Sequence, residues 1–251
     1  MASGVGSLDW ARRTHGRLSA RDQAELIAQG VKRQATMLRA RLGSSAGAVL
    51  DLDAYRPPDS AAVREAEELC REASPAFLEE HCHRTHLWGV VLGREQGLEW
   101  DEEAFYVAAL THDLGLVDRF RGHDPEAACF SLDSASAARE LMARHPSVAP
   151  RSDVVAEAIT FHLNADVPVA NGVVAHLLQL GAAVDVTGFR LGDVDRRTRA
   201  AILARHPRHT MKREFQALMD EELVRHPQSR PAFFTKRFGF KRMIERAPFD
   251  E

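Results

Sequence analysis

The chain has 251 residues, long enough to bury a hydrophobic core and suited to one large domain or two small ones. Apolar residues make up 45% and charged residues 27%, an ordinary globular composition, and the net charge of −3 gives no basic excess for nucleic acid or an anionic membrane surface. Three cysteines (Cys70, Cys82 and Cys129) without C-x-x-C spacing argue against a disulfide framework or a thiolate zinc site and fit a reducing cytoplasm.

The first residues carry no apolar run that would serve as a signal peptide, and no apolar stretch reaches the roughly 18 residues of a membrane span. A cytoplasmic, soluble protein is expected. Residues 1–6 are small and glycine-rich, which predicts a frayed end. Ser19 caps a predicted helix to Leu42, on which Leu26, Ile27, Val31, Ala35, Leu38 and Leu42 recur at helical steps. A loop follows at 43–48. Pro57-Pro58 breaks the chain, and Asp59 or Ser60 can cap a helix to about Glu72. The next runs from about Pro75 to Gly97 and carries Phe77, Leu78, His81, Thr85, Trp88 and Leu92. Another spans Asp101 to Leu114, very apolar in its second half and ended by Gly115. After a loop around Arg121 to Pro125, helices are predicted at Ser134–Arg144, Ser152–Leu163 and about Asn171–Val186, the last closed by Gly188. Two more are expected at 208–225 and 230–246. Few stretches alternate as a strand would, and neither a repeat nor a linker divides the chain. The pattern predicts a single all-α helical bundle over 61–251 with an N-terminal helical extension over 1–60.

Three pieces carry chemistry: His81-Cys-His-Arg84 in mid-helix, His112-Asp113 in ALTHDLGL, and Asp185 in LQLGAAVDVTG. Imidazole and carboxylate are ligands that zinc, iron and manganese accept. A charged Asp on an apolar helix is costly unless compensated, and a dication would compensate both Asp113 and Asp185. Neighbouring helical side chains diverge by about 100°, so His112 and Asp113 reach one ion only at the helix flank, unless one of them holds a second ion or the attacking water. His123-Asp124 is a second His-Asp pair, but between Gly122 and Pro125 it reads as loop chemistry. Trp88, Phe105 and Tyr106 read as core, whereas Phe130 and Phe161 suit either core or substrate wall. The arginines and lysines at 236–246 alternate with Phe238, Phe240 and Ile244, as in an amphipathic helix with a solvated face.

The order His…His-Asp…Asp on helices resembles the HD superfamily of metal-dependent hydrolases. HCHRTHLWGVVL, ALTHDLGL, AITFHLN and HLLQLGAAVDVTGFRLGDV, with the tail around HPRHTMKREF and FGFKRMIERAPF, are closest to its cyanamide-hydratase-like branch, over roughly residues 75–248. The resemblance implies a divalent metal held by His81, His112, Asp113 and Asp185; such a nitrogen and oxygen ligand set accepts zinc, the first candidate, and equally iron, manganese or nickel. It selects His81 over His83 and His86, because the family places Arg three residues after its first ligand, where Arg84 stands. Arg84 would pair with a ligating Asp or face the substrate. The resemblance also implies water chemistry on a small-molecule substrate, either nitrile hydration, as of cyanamide, or phosphoester hydrolysis. Asp113 is the candidate proton shuttle. His162 is the candidate substrate contact or extra ligand. His176 falls on the far side of its helix. Arg84, Arg119 and Arg121 are the arginines nearest the motif that would meet a phosphate. A non-catalytic metal-containing module and a di-iron oxygenase are the rival classes. Homo-oligomerisation stays open.

Overall fold

The computed structural model describes residues 4–40 and 47–251. In chain order the helices are α1 (Leu8–Thr14), α2 (Ala20–Ala40), α3 (Ala61–Ala73), α4 (Ala76–Glu95), α5 (Glu102–Thr111), α6 (Phe130–Ala143), α7 (Ser152–Phe161), α8 (Val173–Thr187), α9 (Arg196–Arg205), α10 (Met211–Arg225), α11 (Arg230–Phe238) and α12 (Phe240–Glu245). The fold is all-α, as expected. The described residues hold no strand, only one isolated parallel bridge between Ala48 and Val194. No helix among them is long and apolar enough to cross a membrane. The three cysteines are free and buried.

Several boundaries follow from local chemistry. The Ser60 hydroxyl accepts from the Val63 amide at 3.2 Å, and the Asp101 carboxylate accepts from the Ala104 amide at 2.9 Å, so each supplies an orphan donor of a first turn with its partner. Ser19 and Asp22 cap each other reciprocally at the start of α2, Ser19 N–H donating to Asp22 at 2.8 Å and Asp22 N–H to Ser19 Oγ at 3.2 Å. Gly188 closes α8 in the left-handed conformation at φ 71°.

Other boundaries depart from the sequence reading. α6 starts at Phe130, four residues early, because the Phe130 amide is capped at 3.0 Å by Glu222, which lies far along the chain on α10. α9 is unpredicted: it is strongly polar and buries only Thr198 and Ile202, so its periodicity is faint, although Asp195 caps it well. The expected 230–246 helix is split by Gly239 at φ 66°.

The N-terminal region is also corrected. Residues 4–6 are packed rather than frayed: Val5 is buried, its amide donates to Glu25 and its carbonyl accepts from Asn164. Of the apolar stripe expected on α2, Leu26 is buried while Ile27 and Val31 are exposed. Leu42, residues 1–3 and the loop at 43–46 lie outside the described residues, as do the side chains of Ala35 and Leu38.

The helix pair α4 and α8 positions the site. Their backbones approach so closely that a Cβ on Gly181 would lie 2.0 Å from the Thr85 carbonyl oxygen, and one on Gly89 would lie 2.9 Å from the Leu177 carbonyl oxygen. Only glycine permits that approach. Trp88, Phe105 and Tyr106 are buried around it, as predicted, and burying each such side chain contributes about 1.5–3 kcal/mol.

Candidate metal centre

His81 stands in the middle of α4, and His112 is the residue at which α5 ends. The sequence suggested that this helix continues to Leu114. Instead it stops at Thr111, and the chain turns through Asp113 into a short 3-10 turn at Leu114–Leu116. The turn is imposed by packing on α6: a Cβ on Gly115 would lie 2.1 Å from the Phe130 carbonyl oxygen, and the Gly115 amide donates to Ser134 Oγ at 2.8 Å. Leaving the helix removes the angular obstacle between neighbouring side chains and lets His112 and Asp113 face one point.

His81, His112 and Asp113 form a buried group whose donor atoms all lie within 4.8 Å of one another. His81 Nε2 is 3.3 Å from His112 Nε2, and Asp113 Oδ2 is 3.4 Å from each of these two nitrogens. Tetrahedral donors at the usual zinc–nitrogen distance of about 2.1 Å stand about 3.4 Å apart, so the triangle has the edge length that a small dication requires.

The hydrogen bonds fix what these atoms present. His112 Nδ1 donates to the Ala109 carbonyl at 2.8 Å and His162 Nδ1 to the Ile159 carbonyl at 2.6 Å. A carbonyl only accepts, so both protons sit on Nδ1 and both Nε2 atoms carry a lone pair. His81 Nδ1 donates to Asp185 Oδ2 at 2.7 Å. Asp113 Oδ2 is buried and takes no hydrogen bond. A buried carboxylate oxygen facing imidazole lone pairs is costly unless a positive charge lies between them. Burial opposes charging His81, yet the Asp113 and Asp185 carboxylates outweigh it and raise its pKa, so a proton there is one source of that charge. A divalent ion among the three donors is the other, and the residues fit it. Burial works against ionised Asp113 as well, but His112 and His81 hold it below the usual carboxylate range.

Asp185 is fully buried and is not among the three converging donors. Its Oδ1 accepts from Arg84 Nε at 2.8 Å and Trp88 Nε1 at 3.0 Å; its Oδ2 accepts from Arg84 NH2 at 2.9 Å as well as from His81. Arg208 adds a contact at 3.3 Å. The structure thus places Asp185 behind His81, where it fixes the imidazole tautomer. Arg84 is buried and spent on this pair, with its remaining nitrogen donating to the His206 and Pro207 carbonyls at 3.2 and 2.9 Å. It does not face the cavity, which answers the alternative left open by the sequence.

His162 lies beside the cluster, with Nε2 3.8 Å from Asp113 Oδ1 and its ring edge-on to His112. Burial and the neighbouring His112 lower its pKa to about 3. His83 stacks on His206, and His86 packs against Phe105 and Tyr106, so neither reaches the cluster. His123 pairs with Glu140 at 3.0 Å, and His176 Nδ1 donates to the Val167 carbonyl at 2.7 Å while its Nε2 lies 3.3 Å from Gln96 Oε1, away from the centre.

No family model matches the chain, and no curated protein does.

The cluster forms the floor of a cavity of about 850 Å³. His81, His112, Asp113 and His162 line it together with Phe130, Phe215, Phe234 and Phe238. Arg119 and Arg121 do not; they pair with Glu72 and with Asp118 and Glu221. The arginines that do line it are Arg33, Arg242 and Arg246. They come from α2 and from the end of α12, the segment expected to be a solvated face. Nothing in the sequence around His81 or His112 signals them, because their approach is purely tertiary.

Proposed function

We propose that this protein is a metal-dependent hydrolase or hydratase of a small molecule, of the HD type that its motifs resemble. The observation that carries the reading is the convergence of the His81 and His112 Nε2 atoms on the unbonded Asp113 Oδ2 at the floor of a cavity. A bound divalent ion, zinc first among the candidates, supplies acidified water and Lewis-acid polarisation there.

The chain's own residues account for the remaining needs. His81, His112 and Asp113 Oδ2 would hold the ion, and Asp185 orients His81 through Nδ1. Asp113 Oδ1 lies 3.8 Å from His162 Nε2. That oxygen is placed to take a proton from water and return it to a leaving or adding atom. His162, neutral at pH 7, accepts a hydrogen bond through Nε2 and orients water or substrate against Asp113. The phenylalanines hold an apolar body and exclude bulk water.

Nitrile hydration and phosphoester hydrolysis both fit a water held at this floor. The test is an assay of the purified protein, metal-loaded and chelator-treated, on cyanamide, a set of larger nitriles and generic phosphomonoesters and phosphodiesters. Turnover that disappears on chelation and returns with metal supports the reading. A loaded protein silent on the whole panel would instead mark a non-catalytic metal module.

A further inference from the structure

The floor of the cavity explains a reaction centre but not the character of its other end. Arg33 lies on α2, Arg242 lies on α12, and Arg246 is the residue that caps the C-terminal end of α12, four positions on. Asp113 is the sole carboxylate among the described residues that line the cavity, against these three arginines. The chain as a whole carries a net charge of −3, so positive charge is concentrated at this opening against the overall sign of the protein.

Some arginines, such as Arg144, Arg151 and Arg190, are tied to carboxylates. Arg242 and Arg246 are exposed and have no side-chain hydrogen bond or ion pair among the described residues. Arg33 is held in place by a bond to the Ala165 carbonyl at 2.8 Å and by its stacking on Phe189 at 3.7 Å. Burial lowers its pKa to about 10, so it stays charged at neutral pH. Phe215, Phe234 and Phe238 line the same cavity, and the Phe215 ring lies 5.7 Å from that of His81. A molecule as small as cyanamide would touch the floor and leave the rest of the cavity unused.

We infer that the substrate is an amphiphilic organic anion: a reactive group at the floor, an apolar body along the phenylalanines, and an oxyanion at Arg242 and Arg246. The inference rests on the proposed hydrolase or hydratase reading for the role of the floor, but the rim is argued from its own residues. A guanidinium pair one turn apart suits a carboxylate or a phosphate equally, since both offer the paired oxygens that arginine bonds in parallel. What it excludes is a neutral or cationic tail.

The experiment measures binding by calorimetry on the full chain, zinc-loaded and chelator-treated, with three probes: 4-phenylbutyrate, its uncharged amide, and phenylpropylphosphonate. Each is measured for the wild type, for the Arg242→Ala/Arg246→Ala double variant, and for the Arg242→Lys/Arg246→Lys pair. Both arginines are exposed, so the variants should fold, and a thermal melt checks this. The expected result is that one or both anions bind wild type about tenfold or more tighter than the amide, that the alanine pair loses this margin, and that the lysine pair keeps part of it. Preference for the carboxylate or the phosphonate tells the two sources apart. Equal binding of acid and amide overturns the inference. So does an anion preference that survives the alanine pair but disappears on chelation, which would place the anion on the metal. Zinc uptake is titrated on the same samples: failure there counts against the functional reading and leaves the rim result to stand or fall by itself.

Discussion

Nδ1 of His81 lies 2.7 Å from Oδ2 of Asp185, and this bond joins the cavity-facing imidazole of α4 to α8. Burial works against an ionised Asp185, but Arg84, His81 and Arg208 hold its pKa well below the usual range. The carboxylate therefore stays charged, and His81 keeps a proton on Nδ1 that it donates to Asp185.

Replacing Asp185 by Asn should strip Arg84 and Arg208 of their shared counter-charge. Breaking a buried ion pair typically costs about 3–5 kcal/mol. Loosening the support of a ligand histidine typically lowers metal affinity about 10–100-fold. Denaturant melts and zinc titration of D185N check both, and an unchanged affinity would show that Asp185 does not orient His81.

The close contact of α4 and α8 predicts that Gly181→Ala is disruptive. The new Cβ would meet the Thr85 carbonyl oxygen at 2.0 Å, and that atom is backbone within a helix. The helices must separate, at a cost of about 1–3 kcal/mol or more. The separation should also lengthen the His81–Asp185 bond. The expected readouts are a lower melting temperature and weaker zinc binding in the same variant, with a surface control such as Gly97→Ala affecting only the local turn.

Acid should destabilise the fold through buried histidines outside the metal centre. Burial, with smaller contributions from His83 and His206, lowers the His86 pKa to about 3, among Tyr55, Phe105 and Tyr106. Above the unfolded value of about 6.5 both states are neutral, and the full stability is present. As the pH falls below that, the unfolded chain takes up a proton that the folded chain refuses until about pH 3. Stability is then lost at about 1.4 kcal/mol per pH unit for this one group. His83, lowered to about 4 by burial and by His206 and Arg84, adds to the same slope. Denaturant melts between pH 7 and 4 should show the loss, and His86→Phe should flatten it by about one proton. An unchanged slope in that variant would contradict the assignment.

A metal that binds only the folded state raises its stability by about 2.7 kcal/mol at a hundredfold excess over Kd. Zinc should therefore raise the wild-type melting temperature. His112→Ala should abolish that rise, because it removes one corner of the triangle.

The sequence was most legible where structure is local. Ser60, Asp101 and Gly188 mark helix ends by their own chemistry, and the apolar run before His112 shows that it is buried. It was least legible where a distant group decides. The α5 helix stops at Thr111 because Gly115 must pass under the Phe130 carbonyl; α6 begins early because Glu222 caps it. His81, His112, Asp113, His162 and Asp185 were visible in the sequence, but their division of labour was not. Arg84, Trp88 and Arg208 occupy Asp185 from other turns and other helices. Arg33, Arg242 and Arg246 reach the cavity only through the packing of both chain ends on the bundle.

The most direct test of the central claim is metal stoichiometry. Elemental analysis of the protein as purified, followed by titration of chelator-treated protein with zinc, iron, manganese and nickel, should be run beside Asp113→Ala. The account predicts about one tightly held divalent ion per wild-type chain and a loss of that ion in an Asp113→Ala protein that still folds. A wild-type protein that is metal-free as purified and takes up none of these ions on titration would contradict it.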